Sequence, residues 1–153
     1  LQQAPWLFNT IQVSMLFLRY LSGTFAASMA GRFSRRFNAP RGMLFGWLVL
    51  MFGMLLLISN SLIILIIGLL LCSIGFFFTH TLSSAWVGKN ATHARALASA
   101  LYLSSYYLGA SIGGDYLLLV WQYFSWNWVP PAAMLMLMIV LGLLLGIFKR
   151  TRA

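Results

Sequence analysis

The stretch Gly31-Arg32-Phe33-Ser34-Arg35-Arg36-Phe37-Asn38-Ala39-Pro40-Arg41 decides how the rest of the chain is read. It carries four arginines between two long apolar runs. A charged residue at the centre of a bilayer costs roughly 2.5–3.5 kcal/mol on insertion scales. The stretch is therefore expected to be a loop outside hydrocarbon, with a membrane span on each side. Pro40 disfavours helix at the residue before it, so the chain is expected to break near Ala39.

Composition agrees with a lipid solvent. The chain is 61% hydrophobic and 7% charged, with mean hydropathy +0.90. A soluble domain carries about 25% charged residues, so this chain has too few polar side chains to cover a surface facing water. The net charge of +9 does not point to nucleic acid. The basic residues sit in short breaks between apolar runs rather than on a soluble scaffold. The single cysteine, Cys72, lies inside an apolar run and reads as a small apolar packer. Neither a disulfide nor a cysteine metal site is expected within the chain. The start, Leu1-Gln2-Gln3-Ala4-Pro5, has no charged region followed by an apolar core, so no signal peptide is read there. The expectation is a piece of a longer protein or a processed product.

Five spans are expected, over residues 7–30, 42–59, 62–84, 97–120 and 130–148. Asn60-Ser61 makes a turn too short for anything but antiparallel neighbours. Trp121, Tyr123, Trp126 and Trp128 cluster without basic residues, as an aromatic belt does at the headgroup level. Pro130-Pro131 opens the last span, where proline is tolerated in the first helical turn. With alternating spans, nine of the ten Lys and Arg residues fall on one side. They occupy the 32–41 stretch, the Lys89–Arg95 loop and the tail after Phe148. The positive-inside rule makes that side cytoplasmic. The N-terminus is then outside and the C-terminus inside, which requires an odd number of spans.

Small residues recur at four-residue spacing: Gly23 and Ala27, Gly42 and Gly46, Gly109 and Gly113, Gly142 and Gly146. Each pair is expected to let a second helix approach closely.

Ionisable and aromatic residues inside the spans are the candidate pathway groups. Arg19 sits near the middle of the first span, where its alternative is a side chain snorkelling from a tilted helix. His80 titrates near neutrality and can relay protons; its alternative is a hydrogen-bonded helix-end histidine. Tyr102 and Tyr106 share a stripe that lines a pathway or simply packs. Asp115 is the only acidic residue and lies near the outer interface, a solvated carboxylate or a proton carrier. His93 reads as a solvated loop residue. Paired carboxylates are impossible with one acid, and no phosphate-binding glycine loop is present. No catalytic constellation, metal site or cofactor is expected, and the chain reads as a non-enzyme.

An outside N-terminus followed by five spans resembles the last five helices of a twelve-helix transporter of the major facilitator superfamily (MFS). The basic stretch is similar to the second-half copy of that family's cytoplasmic signature, roughly G-x-L-x-D-R-x-G-R-R. Gly31 matches the leading glycine, Phe33 stands for Leu, Arg36 for Arg, Asn38 for the second Gly, and Arg41 lies at the basic end. Arg35 occupies the position where the signature carries Asp, so the family's carboxylate latch has no counterpart here. The stretches Gly75–Gly88 and Ala96–Gly114 look like the tenth and eleventh helices of a branch of bacterial inner-membrane transport proteins. The resemblance implies an all-α integral membrane fold, forming part of the C-terminal bundle as helices eight to twelve. It implies secondary transport by alternating access, usually proton-coupled efflux of a drug, sugar or metabolite, in the bacterial inner membrane. The implied partners are the lipid bilayer, the small-molecule substrate and the missing N-terminal part. The alternative is a non-transporting membrane subunit, or a truncated gene remnant, held by helix packing.

Overall fold

The computed structural model describes residues 19–36 and 38–150, with side chains described except at 19, 20, 34–36, 147, 148 and 150. These residues form five α-helices: α1 (Arg19–Arg36), α2 (Ala39–Leu56), α3 (Leu62–Asn90), α4 (Arg95–Tyr123) and α5 (Val129–Arg150). A short 3-10 turn, Trp126–Trp128, joins α4 to α5. Among the described residues no strand occurs. Residues 7–18 of the first expected span lie outside the described residues.

The basic stretch is helical rather than a loop. Gly31–Arg36 forms the end of α1, and Ala39-Pro40-Arg41 begins α2. Only residues 37 and 38 separate them. Asn38 is the extended residue before α2 (φ −63°, ψ 134°), and Pro40 lies in its first turn, where its missing N–H costs nothing. The arginines at the end of α1 sit where the helix dipole favours cations. Expelling charge from hydrocarbon thus requires only that the helices run past the hydrocarbon edge. At about 1.5 Å per residue, the 29 residues of α3 span about 43 Å, against about 30 Å of hydrocarbon. The Lys89 loop shortens for the same reason. Helix α3 runs to Asn90, and four residues, Ala91–Ala94, make the turn. Ala94 closes it in the left-handed region (φ 53°).

Helix α3 is the hub. It packs intimately on α2, strongly on α1, and along one edge on α4, while α5 leans on α2. The buried cluster draws on α1 (Ala26, Ala30), α2 (Met43, Trp47), α3 (Phe78, Leu82) and α5 (Leu144). Helix α4 contributes no buried residue. Large apolar side chains point outward around the molecule, among them Phe25, Leu48, Phe52, Ile63, Leu101, Leu135 and Leu143. Contiguous apolar surface on that scale marks a lipid-facing protein. Helices α2 and α3 and the segment Trp126–Gly146 are long and apolar enough to cross a membrane. The fold is an all-α integral membrane one.

The α2–α3 contact is a seam of glycines seven residues apart. Gly46 faces Gly75, and Gly53 faces Gly68, in antiparallel register. A Cβ placed on Gly53 would lie 2.7 Å from the Cys72 nitrogen and 2.9 Å from the Gly68 carbonyl oxygen. One placed on Gly75 would lie 2.7 Å from the Gly46 oxygen. Only glycine permits this approach of backbone to backbone, which is how helices gain packing energy in lipid. Cys72 fits beside the seam, its thiol 3.9 Å from the Leu50 carbonyl oxygen. Trp47 ties α2 to α5 by donating its Nε1–H to the Leu137 carbonyl at 2.8 Å.

Candidate functional site

The polar centre of the bundle lies where α4 meets α3. His80 sits four residues beyond the midpoint of α3, about 6 Å along the axis. Helix periodicity puts Phe76, His80 and Ser83 on one face of α3. The same rule puts Tyr102 and Tyr106 on one face of α4, which runs antiparallel to it. His80 Nδ1 lies 2.9 Å from the Tyr102 hydroxyl. That hydroxyl also donates to the His80 carbonyl oxygen at 3.2 Å. The imidazole stacks on Phe76 with centroids 5.7 Å apart and planes 13° apart. Tyr106 approaches its other neighbours from α4: its ring centroid is 4.7 Å from His80 and 6.0 Å from Phe76. His80 and Tyr102 are half-buried.

A cleft of about 480 Å³ borders this group. Leu50 and Met54 of α2, Cys72, Ser73 and Phe76 of α3, and Tyr106 of α4 line it. Phe76 and Tyr106 belong to both cleft and cluster, so they form the partition between them. The lining is mostly apolar, as small-molecule clefts usually are, with a few polar groups to orient a ligand. Chemically, the site offers one imidazole that can bind and release a proton, two phenols, and no carboxylate among the described side chains in contact with them.

The other sequence candidates fall elsewhere. Arg19 is the first described residue of α1, and its side chain lies outside the described ones. Asp115 is exposed on α4, nine residues past Tyr106 and so about 13 Å further along that helix. It does not join the His80 group. His93 is exposed in the turn between α3 and α4, and Arg41 is exposed in the first turn of α2. Gly31 has no neighbour within 4 Å of a built Cβ, and Arg35 and Arg36 are placed by backbone alone.

The glycine pairs divide by helix. Gly23 lies against the Phe77 ring, and Ala27, one turn on, is half-buried. Gly42 meets Leu82 and Phe33, and Gly46 meets Thr79 and Gly75. Among the described residues, Gly113 reaches only the Met136 side chain, at 3.5 Å, and nothing lies within 4 Å of a Cβ placed on Gly109, Gly142 or Gly146. Four-residue spacing therefore found Gly46 but missed Gly75, which faces it, and the Gly53–Gly68 pair. The signal that finds them is the seven-residue spacing of Gly46 and Gly53 on one helix and of Gly68 and Gly75 on the next. The Trp47–Leu137 bond had no sequence signal, because a backbone carbonyl is the acceptor.

Over most of its length the chain is similar in sequence to bacterial proteins named as transporters. The chain is 48% identical over 146 residues to the inner membrane transport protein YnfM of Escherichia coli, covering 95% of this chain and 34% of that protein. It is 35% identical over 139 residues to the uncharacterized MFS-type transporter YybF of Bacillus subtilis, covering 91% and 34%. An uncharacterized transporter of Buchnera aphidicola is 34% identical over 142 residues, covering 93% and 34%. No family model matches the chain, and no solved structure does. The chain spans about one third of the length of these relatives. Over nearly all of its length, then, it is a homologue of bacterial membrane transporters, MFS-type in the Bacillus case, and corresponds to about a third of such a protein.

Proposed function

We propose that the chain is the C-terminal part, helices eight to twelve, of a proton-coupled MFS transporter that exports a small molecule by alternating access. The observation that carries this reading is the match to named transporters over 91–95% of the chain at one third of their length. The His80 cluster beside the cleft supports it, since transporters of this architecture hold their sites near the bilayer midplane between repeats. Helix α4 supports the fragment reading. It is 29 residues long with no buried residue, and Gly109 and Gly114 lie open along it. That is the surface expected of a helix whose partner is the rest of the transporter.

Basic side chains, including Arg32, Arg41, Lys89, Arg95 and Lys149, lie at the ends of α1, α3 and α5 and the starts of α2 and α4. The positive-inside rule would put that end in the cytoplasm of the bacterial inner membrane. The test is efflux of a substrate panel by the complete transporter, with and without a proton uncoupler. Uncoupler-sensitive export is expected, and replacement of His80 by Ala should flatten its pH dependence. Residues 1–153 alone should not transport. Export indifferent to the uncoupler would refute proton coupling, and transport by the fragment alone would refute the partial-protein reading.

A further inference from the structure

We propose that Tyr102 holds His80 in the tautomer that carries its hydrogen on Nδ1, leaving Nε2 as the single proton-accepting atom of the cluster. A phenolic hydroxyl has one hydrogen to donate and lone pairs to accept. The Tyr102 oxygen meets two groups of the same residue: the His80 carbonyl oxygen at 3.2 Å and Nδ1 at 2.9 Å. A carbonyl oxygen cannot donate, so the hydroxyl hydrogen belongs to that contact. The contact with Nδ1 is then a hydrogen bond only if Nδ1 carries the hydrogen. The opposite tautomer would turn the hydroxyl hydrogen toward Nδ1. Two oxygens would then face each other at 3.2 Å with nothing between them, and one of the two bonds would be lost. The His80 carbonyl lies inside α3 and also accepts from the amide one turn on; its second lone pair serves Tyr102.

The assignment determines what the site can take. Among the described residues nothing hydrogen-bonds Nε2. In neutral His80 that nitrogen accepts: it can take a proton, or an O–H or N–H of a ligand, and it cannot donate to an anion until it is charged. Protonation at Nε2 leaves both Tyr102 bonds intact, so His80 can gain and lose charge without releasing α4 from α3. Tyr102 and Tyr106 of α4 are the titratable groups facing it. From α1 and α2, also packed on α3, no described ionisable side chain makes a hydrogen bond, ion pair or ring contact with it. Asp115 is too far along α4 to serve as its counter-ion. A charge on the imidazole would instead meet the face of Phe76, whose centroid lies within the ~6 Å over which ring faces attract cations.

Tyr102 is thus a positioning residue, and its effect is readable without any transport measurement. The inference concerns the site used in the transport reading, but failure of export would leave it standing. The chain has two histidines, His80 and His93. Nitrogen-15 NMR of residues 1–153 in lipid micelles, carrying His93→Asn, isolates the His80 ring. The neutral ring should show hydrogen on Nδ1 and none on Nε2, and acidification should add one at Nε2 while the Nδ1 hydrogen keeps its proximity to the Tyr102 ring. Tyr102→Phe should shift the population to the Nε2–H tautomer. Hydrogen on Nε2 in the neutral wild-type ring, or an unchanged tautomer in the Phe variant, overturns the proposal. Should the Phe variant fail to fold, the wild-type contact between the Nδ1 hydrogen and the Tyr102 ring decides, and its absence overturns the proposal equally.

Discussion

Replacing Gly75 by Ala adds one methyl group where two backbones touch. Its Cβ would stand 2.7 Å from the Gly46 carbonyl oxygen and 2.9 Å from the Leu50 Cα, against an optimal carbon contact of about 3.5–4.0 Å. Both neighbours are backbone, so no rotamer change makes room, and α2 and α3 must part by up to about 1 Å. A gap of 0.5–1 Å forfeits about a quarter to a half of each contact's attraction. With on the order of 40 atom pairs along the seam at ~0.15 kcal/mol each, the loss is about 1.5–3 kcal/mol, in the range measured for overpacked cores. Alanine regains ~1 kcal/mol of helix propensity, so the net destabilisation should be about 0.5–2 kcal/mol. Gly146→Ala is the control: nothing lies within 4 Å of its Cβ, and it should be neutral or slightly stabilising. The assay is unfolding of residues 1–153 in mixed micelles with increasing sodium dodecyl sulfate, followed by tryptophan fluorescence. Equal midpoints for the two variants would refute the seam. Combining Gly53→Ala with Gly75→Ala should cost less than the sum, because helices already parted accommodate the second methyl.

Two other perturbations have clear signs. Trp47→Phe keeps most of the apolar volume but removes the Nε1–H donated to Leu137. The cost should be about 0.5–1.5 kcal/mol, with faster hydrogen exchange confined to the middle of α5; unaltered exchange there would mean the bond carries no load. Single cysteines at Asn90 and Trp126, introduced with Cys72→Ser, should be labelled from opposite sides of the membrane by an impermeant reagent. Labelling from the same side would break the antiparallel order of α3, α4 and α5.

The extent to which the site could be read from sequence depends on how many helices each part involves. His80, Tyr102 and Tyr106 stand out individually, because polar and aromatic groups are conspicuous in an apolar run. Their meeting is not legible, since it requires the rotation of α4 about its axis as well as its antiparallel direction. Asp115 was equally conspicuous by composition, yet nine residues of helix rise remove it from the cluster. The glycines show the same limit. Gly42 and Gly46 satisfy a four-residue pattern, but the closest backbone approach follows the seven-residue pairs. A straight helix returns to the same face after two turns, and the crossing of α2 and α3 determines which of the two periods is used.

The sequence by itself determined that this chain lives in lipid, that it crosses in helices, and which helix ends bear charge. Each follows from one-body energetics: the cost of moving a side chain or a peptide group into hydrocarbon depends on that group alone. Tertiary structure decided which glycines touch, that the basic stretch forms the end of one helix and the start of the next, and that His80 is held by Tyr102 while Asp115 stands apart. Those are pairwise matters. They depend on crossing angles and rotations that come from packing many weak contacts at once, and no single residue encodes them.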